Sequence, residues 1–401
     1  MDIGRAVEDA RLKVVAGLAA RFGDLDLAQD AFAEAAAAAV SAWRSEPPRD
    51  AAAWLWRAAL RKGLDARRRA GVRSRAVHDR PEPEPTPEEA LMAAQAPIPD
   101  ERLSLIFACC HPALAAEARI ALTLKVVCGL SSGAIARAFL TPEPTILQRI
   151  TRAKKKIAAA RVRFEVPARE AWAERLEAVL ATVEIAYALA YEDAALAGEG
   201  AVFAGEAMRL TGVLAALLPD EPEVLGLAAL VRLAEARRPA RLDAGGAMVP
   251  LAEQVVEEWD AVQIGQAARL LDRAAAMRRT GPRQVLAAIH AAHVSRLQTG
   301  VTPWREIATL YEALAVLRPG PISAVNRAVA IGHADGAQAG LAALEASERL
   351  EAWLPWQVAR AWLSAQAGRP EAAKDAYRAA LALGPAPAER LYLERRLAEL
   401  P

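Results

Sequence analysis

Apolar positions recur three and four residues apart along nearly the whole chain, while long alternating runs of Val, Ile, Thr and Tyr are missing. That period belongs to helices packed on one face, so the chain is expected to be all-α with essentially no strand. Helices are predicted over residues 7–22, ended by Gly23, then from Asp24 to about Val40, and over 50–69 after Pro47-Pro48. Another begins near residue 100, with Leu103, Ile106, Phe107 and Cys110 on one face. Further helices are expected over 118–127, 172–191, 199–218, 221–235 and 263–277, with a loop at Gly245-Gly246.

Between residues 116 and 163 the pattern becomes more specific. Ser131-Ser132 can cap a short helix whose Ile135 and Phe139 lie one turn apart. Thr141-Pro142-Glu143-Pro144 then breaks the chain before a helix over 145–160. In that helix Ile146, Ile150 and Ile157 make an apolar stripe, and Thr145, Gln148, Arg149, Arg152, Lys154, Lys155 and Lys156 are polar or basic. A helix, a sharp turn and a second helix charged on its outer side is the layout that enters a major groove amino end first, with lysines facing phosphates. The bland reading of the same residues is a solvated amphipathic helix.

Two further surfaces stand out nearer the start. Asp26, Asp30 and Glu34 recur four apart and form a negative stripe, either an ordinary wet face or a docking surface for a basic partner. Trp54 and Trp56, two apart, cannot share one helix face, so one can fill the core while the other turns outward. Around them Arg57, Arg61, Lys62, Arg67, Arg68 and Arg69 make a basic zone. Aromatic rings interleaved with arginine suit backbone contacts and stacking on an unpaired base; two structural tryptophans are the alternative.

Composition sharpens this picture in places. At 401 residues the chain exceeds a comfortable single core, so two or three domains are expected. With 54% hydrophobic and 5% aromatic residues it favours closely packed helices. A net charge of +1 argues nothing by itself, but the basic zones over 57–75 and 149–163 concentrate attraction to nucleic acid in the first 165 residues. Three cysteines, Cys109, Cys110 and Cys128, suit buried thiols in a reducing cytoplasm rather than a disulfide framework or a zinc site. His290 and His293 have no neighbours that complete a metal set, and neither a phosphate loop nor a nucleophile elbow is present. No enzyme activity, cofactor or metal is therefore expected. With no bilayer-length apolar run and no signal-peptide order at the start, a cytoplasmic protein that makes no membrane contact is expected.

The C-terminal half carries a repeat. Val325-Asn-Arg-Ala-Val-Ala aligns with Val358-Ala-Arg-Ala-Trp-Leu at an offset of 33, and the same offset pairs Ala339 with Ala372 and Leu344 with Tyr377. Small residues where helices cross and large ones between match the tetratricopeptide pattern, with residues 286–317 as a degenerate earlier unit. Stacked helix pairs of this kind would offer a concave face to a peptide or protein partner.

The segments Phe22-Gly-Asp-Leu-Asp-Leu-Ala-Gln-Asp-Ala-Phe, Ala53-Trp-Leu-Trp-Arg-Ala-Ala, Asp100 to Leu114 with Cys109-Cys110-His111-Pro112, Ile135-Ala-Arg-Ala-Phe-Leu and Gln148 to Ile157 carry a resemblance. The chain resembles the extracytoplasmic-function sigma factors of the sigma-70 family, in the subgroup with a tetratricopeptide-like C-terminal extension. This resemblance implies a sigma region-two helical domain over 1–75, a Pro-rich linker over 76–99 and a region-four helix-turn-helix domain over 100–165. A connecting helix over 166–200 and a helical-repeat extension over 201–401 would follow. It implies two partners, RNA polymerase core and promoter DNA. Asp26, Asp30 and Glu34 would dock on the polymerase. Residues 54–69 would melt and read the downstream promoter element, and residues 143–156 would read the upstream one. The helix around Gln29 and Ala35 to Ala39 departs from the family, which is bulkier and more acidic there. A helix-turn-helix regulator with a sensory extension, or a repeat scaffold that has lost polymerase binding, are the other functions open to this sequence.

Overall fold

A computed structural model describes residues 2–75, 100–139, 141–192, 199–347 and 350–401. The expected Pro-rich linker, residues 76–99, lies outside the described residues. Chain contacts divide the protein into two units, residues 1–189 and 190–401. Both are helical, and among the described residues the one β feature is an isolated bridge between Leu242 and Met248.

The first unit opens with α1 (Ile3–Phe22), α2 (Leu25–Ser45) and α3 (Ala51–Arg75) packed against one another. Asp2 caps α1 and Asp24 caps α2, each carboxylate accepting a backbone N–H from the first turn. Between the two helices Gly23 takes the left-handed conformation, φ +65°, and its N–H donates to the Ala19 carbonyl, which lets the chain reverse within two residues. Leu18, Leu55 and Leu60 fill this core.

Next come α4 (Arg102–Cys109), α5 (Ala116–Val126), α6 (Ser132–Ala138), α7 (Glu143–Ala159) and α8 (Trp172–Glu192). Helix α4 packs on α1, and its residues from Ser104 to Cys109 are all buried. Arg11 of α1 donates to the carbonyls of Val126 (2.8 Å) and Lys125 (3.1 Å), satisfying acceptors that the end of α5 would otherwise leave unpaired. Cys109, Cys110 and Cys128 are all buried free thiols, and Cys110 Sγ lies 3.3 Å from Thr123 Oγ1.

The second unit holds α9 (Glu199–Leu217), α10 (Pro222–Glu235), α11 (Ala261–Ala276), α12 (Pro282–Val294), the single turn α13 (Arg296–Thr299) and α14 (Trp304–Leu317). Then follow α15 (Pro321–Asp335), α16 (Ala337–Glu345), α17 (Leu354–Gln366), α18 (Pro370–Ala382) and α19 (Pro387–Ala398). Glu223 sets the start of α12: its carboxylate accepts from the N–H groups of Arg283 and Gln284 and pairs with the buried Arg283 guanidinium at 3.6 Å. Anionic charge at a helix amino end is favoured by the backbone dipoles there.

Helix pairs α12/α14, α15/α16 and α17/α18 follow one another, a succession that resembles a helical repeat. The 33-residue offset falls on equivalent places, since Val325 and Val358 lie at matching positions of α15 and α17, and Leu344 and Tyr377 are buried on α16 and α18. Small residues sit where helices cross. A Cβ on Gly340 would lie 2.8 Å from Gly332 Cα and 2.9 Å from the Ala328 carbonyl, so α15 and α16 approach backbone to backbone. The Gly245-Gly246 loop appears as expected, organised by the Asp243 carboxylate accepting from the N–H groups of Gly245 and Ala247.

Candidate nucleic-acid interface

Helices α6 and α7 and the turn between them are built by local rules. Ser131 caps α6, its hydroxyl accepting from the Ala134 N–H at 3.0 Å, as its side chain suits it to do. After α6 the Thr141 N–H donates to the Ala136 carbonyl, and Pro142 stands at the cap of α7. Helix α7 begins at Glu143, two residues earlier than expected. Pro144 therefore lies inside its first turn, where the missing N–H costs nothing, so the break is made by Thr141-Pro142 alone.

Ile146, Ile150, Ala153 and Ile157 bury one side of α7 against α5 and α6. On the other side Thr145, Gln148, Arg152, Lys155 and Lys156 are exposed. Two of the expected contact residues point elsewhere. Arg149 is three-quarters buried, pairs with Glu117 of α5 at 3.1 Å and lies over the Phe139 ring at 5.9 Å, so it ties the motif together from within. Lys154 donates to Asp26 Oδ1 at 2.5 Å and to Gln29 Oε1 at 2.6 Å on α2. Burial, together with the charges of Arg11 and Lys154, lowers the pKa of the neighbouring Lys125. Leu147, 48% exposed, stands among the polar residues. It could have been found in the sequence as an apolar residue out of phase with the isoleucine stripe.

On α3 the two tryptophans separate as their spacing demands. Trp56 is 4% exposed and belongs to the core, so of the two rings expected to meet DNA it is the one turned inward. Trp54 is half-buried and packs edge-to-face on Trp43 with centroids 5.4 Å apart. Arg57, Arg61, Lys62, Arg67, Arg68 and Arg69 are all exposed. Lys62 pairs with Glu34 at 3.3 Å, Arg68 approaches Asp65 at 3.9 Å, and Arg67 lies 6.0 Å over the Phe22 ring. Asp26, Asp30 and Glu34 line the exposed side of α2.

Residues 104–157, from α4 to the end of α7, match the family model described as Sigma-70, region 4. Residues 175–275 match a family of unknown function, DUF6596. An uncharacterized protein of Rhizobium meliloti is 39% identical over 404 residues, covering 99% of this chain and 96% of its own length. The chain belongs to the family of that protein. No solved structure matches. A sigma-70 region-four-like module is thus joined to a C-terminal region of helix pairs in one family. Among the described residues no group of three or more His, Cys, Asp or Glu side chains could hold a metal ion, and no helix is long and apolar enough to cross a membrane.

Proposed function

We propose that the protein is a transcription initiation factor that lends promoter specificity to RNA polymerase core and assists strand opening. The observation that carries this reading is the region-four match on residues 104–157, coinciding with a capped helix-turn-helix whose second helix exposes Thr145, Gln148, Arg152, Lys155 and Lys156. Thr145 and Gln148, near the amino end of α7, offer hydrogen bonds to base edges, and Leu147 offers an apolar contact to a thymine methyl. Arg152, Lys155 and Lys156 supply phosphate contacts, which position the helix without reading sequence. Arg149 acts as a strut of the motif, through Glu117 and Phe139.

The first three helices would serve as the region-two-like part. Trp54, half-buried beside Trp43, and the basic side chains Arg57, Arg61, Lys62, Arg67, Arg68 and Arg69 suit capture of unpaired bases and their phosphates. Asp26, Asp30 and Glu34 provide an acidic strip for the polymerase. Affinity purification of the tagged full chain tests this reading: stoichiometric recovery of core polymerase is expected, reduced by Asp30→Lys together with Glu34→Lys. Recovery of a folded protein that never retains core polymerase would refute it.

A further inference from the structure

In the second unit the helices α12, α14, α15, α17 and α19 surround a cavity of about 400 Å³. One of its walls is the segment Met248 to Glu253. That segment is tied down at both ends. The Met248 N–H donates to the Ala388 carbonyl at 3.0 Å, Arg296 donates to the carbonyls of Ala252 (2.5 Å) and Gln254 (2.6 Å), and Arg396 pairs with Glu253. A face that stacked helix pairs would leave open to a long peptide is therefore covered by the chain's own backbone. What remains has the volume of a site for a compact small molecule.

The lining specifies the kind of molecule. Trp304 and His333 stack with centroids 3.9 Å apart and planes within 6°, and Trp362 continues from His333 at 4.3 Å. His293 meets Trp304 edge-on at 5.3 Å. Four rings contributed by four helices thus form one continuous array along the cavity. The lining contains no Lys or Arg, and its ionic side chains are Glu253, already paired with Arg396, and Glu389. An anionic ligand would meet two carboxylates and find no Lys or Arg in the lining to pair with. Burial, with the charges of Arg237, His333 and Arg296, holds the His293 pKa down at about 3, and burial holds His333 at about 4. Both imidazoles are consequently uncharged at neutral pH. Tyr311, hydrogen-bonded to Asn326, supplies a polar edge.

We propose that this cavity binds a flat aromatic or heteroaromatic molecule of two or three fused rings that carries no negative charge, extending the stack of Trp304, His333 and Trp362. This site stands whether or not the protein acts with polymerase. Isothermal titration of the full chain with quinoline and with phenazine tests it, with quinoline-3-carboxylate as the anionic counterpart. One-to-one binding by an uncharged probe is expected, about tenfold or more tighter than by the carboxylate. It should weaken about tenfold in Trp362→Ala, the order of loss seen when a ring platform is removed. Val329→Phe, which projects a larger side chain from the cavity lining, should also weaken binding and decides the question if Trp362→Ala fails to fold. Affinity should be the same at about pH 6.5 and about pH 8, since neither histidine titrates there. Absence of saturable binding by both uncharged probes, equal binding of the carboxylate, or full affinity in Val329→Phe would each overturn the proposal.

Discussion

Lys154 of α7 reaches α2, where its ammonium lies 2.5 Å from the Asp26 carboxylate and 2.6 Å from the Gln29 amide oxygen. The helix proposed to meet DNA is thereby fastened to the acidic strip proposed to meet polymerase. Lys62 and Glu34 repeat the pattern at 3.3 Å, again joining a proposed DNA contact to a proposed polymerase contact. Both surfaces satisfy each other before any partner arrives, and a partner has to displace these pairs. Asp26 is 68% exposed, so water screens the exchange and keeps it inexpensive.

Asp26→Ala should therefore cost less than about 1 kcal/mol in chemical denaturation. In the full chain it should steepen the salt dependence of DNA binding by about one unit of slope, because Lys154 becomes available to a phosphate. Fluorescence anisotropy over a salt series measures this. An unchanged slope would show that Lys154 never reaches the backbone.

Lys155→Ala with Lys156→Ala should flatten the same salt slope by about two units and weaken binding alike on all sequences. Arg149→Ala should behave in the opposite way. It should leave the slope nearly unchanged while costing about 1 kcal/mol of stability, through the lost packing on Phe139 and the pair with Glu117. If Arg149→Ala instead altered base preference with no loss of stability, its assignment as an internal strut would be wrong.

Gly340→Ala should destabilise the second unit by about 1–3 kcal/mol, because the added methyl meets backbone atoms of α15, which cannot swing aside, as well as the Leu363 side chain. Urea denaturation of the full chain, followed by the ellipticity of both units, reads this out. Stability equal to wild type would mean that α15 and α16 cross less closely than described.

The histidines of the second unit give a pH dependence with a definite sign. Burial lowers His293 to about 3 and His333 to about 4, and burial with the Arg237 charge takes His290 well below its usual range. Between those values and the ordinary imidazole pKa the unfolded chain binds more protons than the folded one, so stability is full above about pH 6.5 and falls as the pH drops below it. The denaturation midpoint at about pH 5 should lie below that at about pH 7.5, and His333→Gln should reduce the difference. A midpoint that rose on acidification would contradict the buried, neutral assignment.

Much of this molecule was legible along the chain because its determinants are local. The Ser131 cap and the isoleucine stripe of α7 each depend on neighbours within a few turns, and the 33-residue recurrence shows when the chain is aligned with itself. The spacing of Trp54 and Trp56 announced that the two would part, although which one turned inward depended on the packing of α3 against α1 and α2. What stayed hidden was non-local. Arg149 and Lys154 read as free cations until Glu117 and Asp26 are brought to them from other helices. The ring array of His293, Trp304, His333 and Trp362 spans 70 residues of sequence, and periodicity gives no sign that these two histidines and two tryptophans come together.

The most direct measurement is permanganate footprinting of duplex DNA, drawn from pooled genomic fragments of the host, with purified core polymerase and the full chain. Reactive thymines clustered at discrete start sites, dependent on both proteins and lost with Arg57→Ala and Arg61→Ala, are the predicted result. A folded protein that binds DNA but never produces strand opening, while the same core polymerase opens DNA with another initiation factor, would contradict it.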